Sequence, residues 1–254
     1  MLRLQKGGTA MATIASMPDN RRAERNFFSG MAVAILLVAL VGFARSYYLR
    51  SFFPVPASDR GLTPVIHVHG ILFTGWLLLL LAQVRLVAAR RVDLHRKLGM
   101  AGAALAAVLV VIGTLTAFQG VARGAAPIGI DPHRFVLVPL VDIMLFAVFF
   151  VLAIRARRDA QSHKRLMLLA TLAMLPPAVA RLVILFDLPP PVLIVAATLY
   201  LVPLVVWDWK TRGRLHPVTL WGGLVLVLSL PIRFAILQTD AWLAASNWMV
   251  GLVR

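Results

Sequence analysis

Histidine is the side chain in this sequence best suited to hold a metal, because the 254 residues include six histidines and no cysteine. The segment His67-Val68-His69-Gly70 places two imidazoles at the start of an apolar run, and His133 stands just before another run. Neutral imidazole binds haem iron, copper and zinc. We therefore take His67, His69 and His133 as candidate ligands of a haem b or a copper ion.

The spacing of His67 and His69 limits how they can act together. Residues two apart on a helix point about 200° apart, so both can face one metal only where the helix start is irregular. Gly70 would let a macrocycle or a neighbouring helix approach closely. Two other roles stay open for these histidines, which are to anchor helix ends at a membrane surface and to sense pH.

A second layer of histidines, His95, His163 and His216, lies at the opposite ends of the apolar runs. The 26 residues from His69 to His95 correspond to roughly 39 Å of helix, so the two layers cannot form one site. An aspartate precedes each of them: Asp93 by two residues, Asp159 by four and Asp208 by eight. We expect these histidines to contact lipid headgroups; in the alternative, the aspartate caps a helix or orients the imidazole.

Asp142, Arg181 and Arg233 lie inside apolar runs, and Gln119 lies near the end of one. A carboxylate at such a depth is costly unless it is paired, protonated or hydrated. We expect Asp142 to form a salt bridge with Arg181 within a polar cluster near the first layer of histidines. The cluster could bind an anionic group, such as a haem propionate, a quinone headgroup or a lipid phosphate, or it could only fix helix packing.

Seven apolar runs carry these residues, each with the length of about 20 residues that crosses about 30 Å of hydrocarbon. The sequence is 60% hydrophobic, with a mean hydropathy of +0.86. We predict an all-α, multi-pass transmembrane bundle of about seven helices, the fifth kinked at Pro176 and Pro177. The predicted spans are 27–46, 64–87, 98–121, 134–154, 165–186, 190–208 and 217–238.

The regions outside the spans are short. We predict a disordered basic cytoplasmic tail over 1–26, a transmembrane domain over 27–238, and a short interfacial tail on the outer side over 239–254. Three methionines could each serve as the start of the chain, namely Met1, Met11 and Met17.

The basic residues predict the orientation of the bundle. Eighteen of the 26 Lys and Arg residues fall in the N-terminal tail and in alternate loops, and six fall on the opposite side. The positive-inside bias therefore predicts a cytoplasmic N-terminus and an outer C-terminus. The net charge of +16 sits at helix ends rather than on one soluble face, so we expect a lipid bilayer and no nucleic acid as partner.

Common enzyme signatures are missing from the sequence. It contains no Walker phosphate loop, no H-E-x-x-H and no G-x-S-x-G. The seventh run has no lysine, which argues against a retinal Schiff base. No catalytic residue is predicted.

Three short motifs carry a resemblance to known proteins: His67-x-His69-Gly70, His95-Arg96-Lys97-Leu98-Gly99 and His163-Lys164-Arg165-Leu166-Met167. Over roughly residues 60–235 the chain resembles an uncharacterised family of polytopic bacterial inner-membrane proteins. More loosely, it is similar to b561-type membrane cytochromes and to oxidase-assembly proteins, in which histidines at helix ends hold haem or assist metal delivery. The resemblance implies a redox component or an oxidase-assembly factor that works with a respiratory complex. A small-solute transporter, a lipid-binding protein and a structural subunit of a membrane complex are the alternatives.

Overall fold

The computed structural model describes residues 17–53, 61–127, 129–189 and 191–252, and within these ranges the chain is helical with no strand. Helix α1 continues into a π-helical turn (Ala44–Tyr48) and a 3-10 turn (Arg50–Phe52). The helices in the described residues are α1 (Met17–Phe43), α2 (Pro64–Ala88), α3 (Val92–Ala122), α4 (Pro132–Phe135), α5 (Leu137–Arg155), α6 (Ala160–Ala173), α7 (Pro176–Leu185), α8 (Pro191–Leu199), α9 (Val202–Arg212), α10 (Pro217–Leu237) and α11 (Asp240–Gly251).

The described residues confirm an all-α chain, and its long apolar helices are compatible with an integral membrane protein. Five helical segments in the described part of the chain are long and apolar enough to cross a bilayer: Arg21–Tyr48, Pro64–Ala88, Val92–Ala122, Pro132–Arg155 and Pro217–Leu237. A sixth span is formed if α6 and α7, which are bent by 47° at their junction, count as one. The predicted kink at Pro176 and Pro177 is therefore confirmed.

The predicted sixth span, 190–208, consists of two short helices, α8 and α9. The break falls just before Pro203, whose ring lacks an N–H and clashes with the carbonyl four residues earlier. Neither helix alone has the length of a span, so the count of seven spans stays a prediction.

The first helix begins at Met17 rather than at residue 27, so residues 17–26 belong to a helix and not to an irregular tail. Glu24 gives a physical reason, because its carboxylate accepts hydrogen bonds from Gln161 at 3.0 Å and from Lys164 on α6. These contacts fix the first turns of α1 on the bundle. Residues 1–16 of the predicted tail lie outside the described residues.

Helix α6 occupies the centre of the bundle, where it packs on α5 and α10. The hairpin of α2 and α3 packs on α5 through α3, and α1 lies between α2 and α7. Large apolar side chains such as Leu37, Ile71 and Val111 point outward, as expected where lipid replaces water. The buried residues of α6 are Arg165, Leu166, Leu168, Leu169, Ala170, Thr171, Leu172 and Ala173.

The predicted interfacial tail contains helix α11, which packs on α4. Trp242 donates its indole N–H to the Arg134 carbonyl at 2.9 Å, and Arg134 pairs with Asp240 at 2.8 Å. Thr239 caps the helix by accepting from the Trp242 main chain. These bonds hold the tail against the end of the bundle that carries His133.

Candidate functional site

The fold brings two histidines of the second layer together at one end of the bundle. His95 lies in the first turn of α3 and His163 in the first turn of α6, and their ring centroids are 6.4 Å apart with the ring planes at 89°. Asp159 caps the start of α6 by accepting a hydrogen bond from the Gln161 main chain at 3.0 Å. We call this end of the molecule the His163 end.

The hydrogen bond of His163 shows which ring nitrogen carries a proton. Its Nδ1 lies 2.8 Å from the carbonyl oxygen of Ala153, at the end of α5. A carbonyl oxygen only accepts, so Nδ1 carries the proton and donates it. In the neutral ring, Nε2 then keeps its lone pair. A carbonyl that fixes the tautomer in this way is the usual companion of a metal-binding histidine.

His95 lies beside the main chain of Gln83 on α2. Its Nδ1 is buried without a partner among the described residues, and so is the side-chain oxygen Oε1 of Gln83. Buried polar atoms in native proteins are nearly always paired, so these two atoms on adjacent helices make this place a candidate binding site.

Sequence reasoning missed Gln83. Gln83 is a lone amide within the apolar run 64–87, just as Gln119 is within the run 98–121, so the same criterion could have identified it. The Ala153 carbonyl could not be foreseen, because only the packing of α5 on α6 places it beside His163.

His216, the third histidine of this layer, caps a helix. It is the N-cap residue of α10, and its Nδ1 accepts a hydrogen bond from the Val218 main chain at 3.1 Å. Burial lowers the pKa of His216 below its usual value, and the cations of Arg165 and Arg212 add to this effect. A neutral ring is what the cap requires, because only an unprotonated nitrogen can accept.

The aspartates that precede these histidines bind main-chain or arginine groups rather than imidazoles in the described structure. Asp159 caps α6, and Asp208 accepts from the His216 main chain at 3.0 Å. Asp93 lies 3.9 Å from Arg91. Of the two roles considered from the sequence, capping is the one that Asp159 performs.

Asp208 also forms a buried ion pair with Arg165, two residues after His163. Arg165 further donates to the side chain of Gln161 at 2.7 Å. The side chains of Arg165 and Asp208 are 1% and 0% exposed. In the sequence, Arg165 looks like one more basic residue of a loop, so its burial could not be recognised.

The three histidines of the first layer lie at the opposite end, which we call the His133 end. Helix α2 begins regularly at Pro64 with Thr63 as its cap, so His67 and His69 point to different sides. The ring of His69 stacks on the ring of Phe73, with 4.2 Å between the two ring centroids. His69 and His133 each have a buried Nδ1 without a partner among the described residues. In the part of the chain that the structure describes, no three His, Asp or Glu side chains converge on a metal position.

The predicted ion pair between Asp142 and Arg181 is wrong, because Asp142 on α5 pairs with Arg233 on α10. Both side chains are buried, and Arg233 also donates to the Ser229 carbonyl at 3.0 Å and to the Val138 carbonyl at 3.3 Å. The two arginines could not be told apart in the sequence, since each lies in the outer part of its run.

Arg181 and Gln119 make separate contacts, so the predicted polar cluster is divided. Arg181 lies beyond the bend, on α7, which packs on α1. There it donates to Ser46 at 3.2 Å and lies 4.3 Å from the centre of the Phe43 ring. Gln119 accepts a hydrogen bond from Thr63 at 2.7 Å.

The His163 end thus offers two neighbouring imidazoles, of which that of His163 has a fixed tautomer, and the His133 end offers separate polar groups. Comparison with protein-family models, with curated proteins and with solved structures finds no match to the chain.

Proposed function

We propose that this multi-pass membrane protein binds a copper ion between His95 and His163, and that it serves respiration as a redox component or as an assembly factor that delivers the metal. The observation that carries the proposal is the pair of imidazoles, whose ring centroids are 6.4 Å apart. Nδ1 of His163 donates to the Ala153 carbonyl, and Nδ1 of His95 is buried without a partner among the described residues. Copper supplies one-electron chemistry when bound.

The spacing suits one shared ion. An imidazole nitrogen binds a transition metal at about 2.0–2.1 Å, and the ring centroid lies about 1.1 Å further on. Two imidazoles on opposite sides of one ion therefore have centroids about 6.3 Å apart. The observed centroid separation of 6.4 Å is close to this value.

The available ligands favour copper over the other metals that histidine binds. Structural zinc takes four ligands, and non-haem iron takes two histidines and a carboxylate. No third His, Asp or Glu joins the pair among the described residues. Met167 lies four residues after His163 on the same face of α6, and helical side chains tilt back toward the N-terminus, so we propose its thioether as a further ligand. Thioether and imidazole together suit copper(I).

Haem b is less well supported than copper. Two axial histidines would suffice for it, but the macrocycle needs a slot between the helices. The Gln83 amide nitrogen lies 3.6 Å from the position of a Cβ on Gly99, one turn after His95, so side-chain packing occupies the space beside this ring.

We expect the detergent-purified protein to bind one copper(I) ion in competition with a chromophoric chelator. His95→Ala and His163→Ala should each weaken binding by at least about tenfold, because each removes one of two ligands. His133→Ala, which changes a histidine at the opposite end, should leave binding unchanged.

Two outcomes would contradict this proposal. Copper binding that survives in both variants, or that is lost in His133→Ala, would remove the site from the His163 end. A Soret band that shifts on reduction would assign haem in place of copper. The visible spectrum is therefore recorded on the same sample, oxidised and reduced.

A second candidate function is the binding of an anionic or carbonyl headgroup, such as a quinone, at the His133 end. The observation that favours it is the buried, unpartnered Nδ1 of His69 in the neighbourhood of the Arg181 guanidinium. A protein of this kind would be a lipid-binding protein or a small transporter. It would bind no copper in the titration above.

We further propose that the protein lies in a bacterial inner membrane with its N-terminus in the cytoplasm, which places the copper site on the cytoplasmic side. The support is the excess of Lys and Arg in the N-terminal tail and alternate loops.

The orientation can be tested with single cysteines, because the natural chain has none. Ala125→Cys, before α4, should react with an impermeant maleimide in intact cells. Ala160→Cys, at the start of α6, should react only after the membrane is broken. The reverse pattern would invert the topology.

A further inference from the structure

Two grooves on the outer surface of the first three helices meet at Arg85, near the end of α2. One groove of about 480 Å³ runs between α1 and α2. The other, of about 1060 Å³, lies where α2 turns into α3. Arg85 lines both, so they form a continuous path along the surface.

The groove between α1 and α2 is apolar. Its walls include Val33, Leu37 and Leu81. From Ser29 to Leu37 it follows the middle of α1 for about 12 Å. A Cβ on Gly30 would have no heavy atom within 4 Å, so the floor of the groove is open at this residue.

The second groove is basic at its rim and apolar at its walls. Arg85, Arg91 and Lys97 line it together with Leu86 and Leu98. Arg91 lies 3.9 Å from Asp93, an exposed pair of the kind that contributes little. Arg85 and Lys97 form no ion pair among the described residues, so both cations are open to an anionic ligand.

We propose that the joined grooves bind one anionic phospholipid, with its phosphate at Arg85 and Lys97 and an acyl chain along α1. The order of the parts matches a lipid in a bilayer, because the cations lie at the helix ends and the apolar groove leads toward the bilayer centre. A free phosphate would leave the apolar groove empty, and a zwitterionic lipid would bring a cation of its own close to Arg85 and Lys97. The site is independent of the copper proposal.

The expected effects follow from charge and shape. A basic residue at the membrane surface attracts an anionic lipid by about 1 kcal/mol, which is roughly a fivefold change in affinity. Arg85→Gln should therefore weaken lipid binding roughly fivefold, and Arg85→Gln with Lys97→Gln roughly 25-fold. Gly30→Leu should also weaken it, because the new side chain fills the open floor.

Native mass spectrometry of the full chain in detergent, titrated with phosphatidylglycerol or phosphatidylcholine, measures these affinities. Arg158→Gln is the matched control, since it removes one exposed cation at the same end but outside both grooves. We expect one tightly bound phosphatidylglycerol, weaker phosphatidylcholine, no competition from inorganic phosphate at equal concentration, and an unchanged affinity in Arg158→Gln.

Three results would overturn the proposal. Equal losses in Arg85→Gln and Arg158→Gln would mean that only the general positive charge attracts the lipid. Equal affinities for the two lipids would show that the net negative charge of the headgroup has no part in binding. Unchanged affinity in Gly30→Leu, with helical content retained by circular dichroism, would remove the acyl groove.

Discussion

Asp208→Ala is expected to lower the free energy of unfolding by about 3–5 kcal/mol, because it leaves the Arg165 guanidinium buried without its counter-charge. The side chains of Arg165 and Asp208 are 1% and 0% exposed, so water cannot take the place of the lost carboxylate. The change also removes the acceptor of the His216 main chain at the start of α10. We expect the loss to appear as a lower midpoint of unfolding in mixed micelles, followed by tryptophan fluorescence.

Asp240→Ala is the matched control for this prediction. Asp240 also pairs with an arginine, Arg134, but its side chain is 95% exposed. Exposed pairs contribute about 0–1 kcal/mol, so this variant should unfold close to the parent protein. If both variants lost the same free energy of unfolding, burial would not increase the cost of breaking the pair of Arg165 and Asp208.

A double variant, Arg165→Met with Asp208→Leu, separates the cost of an unpaired charge from the worth of the pair. Replacing both members of a buried ion pair by apolar residues is often neutral or stabilising. We expect the double variant to recover most of the stability lost in Asp208→Ala. A double variant as unstable as the single one would mean that the pair itself, through its directed hydrogen bonds, holds α6 and α9 together.

The sequence could show the class of the protein but not the partners of its polar residues. Apolar runs of about 20 residues depend only on local composition, and five of them correspond to helical segments long enough to cross a membrane. Asp142 was recognisable as a buried carboxylate because it stands alone in an apolar run. Its partner, Arg233, is 91 residues away, and only the packing of α10 on α5 selects it over Arg181.

The two layers of histidines show the same limit at the candidate site. Their separation could be derived from the rise of a helix, and the structure places them at opposite ends. Which layer brings two imidazoles together depends on how α3 and α6 approach each other across α5, and no local pattern contains that information. The repeated His-Lys/Arg run at His95 and His163 was visible, but basic residues around it made a lipid-facing helix end the simpler interpretation.

Gly42→Ala is expected to destabilise the bundle by about 1–3 kcal/mol through overpacking between α1 and α7. A Cβ on Gly42 would lie 2.5 Å from the main-chain oxygen of Ala178. A carbonyl oxygen of a helix cannot move aside as a side chain can, so the two helices must separate. Separation would also pull Arg181 from Ser46 and from the Phe43 ring on α1.

Gly30→Ala is the control for this effect, because it makes the same substitution in the same helix. No heavy atom lies within 4 Å of a Cβ at Gly30, so only the intrinsic helix preference of alanine changes. That preference favours alanine over glycine by about 0.5–1 kcal/mol. We therefore expect the two variants to move the unfolding midpoint in opposite directions, and a common direction would show that α1 and α7 do not touch at Gly42.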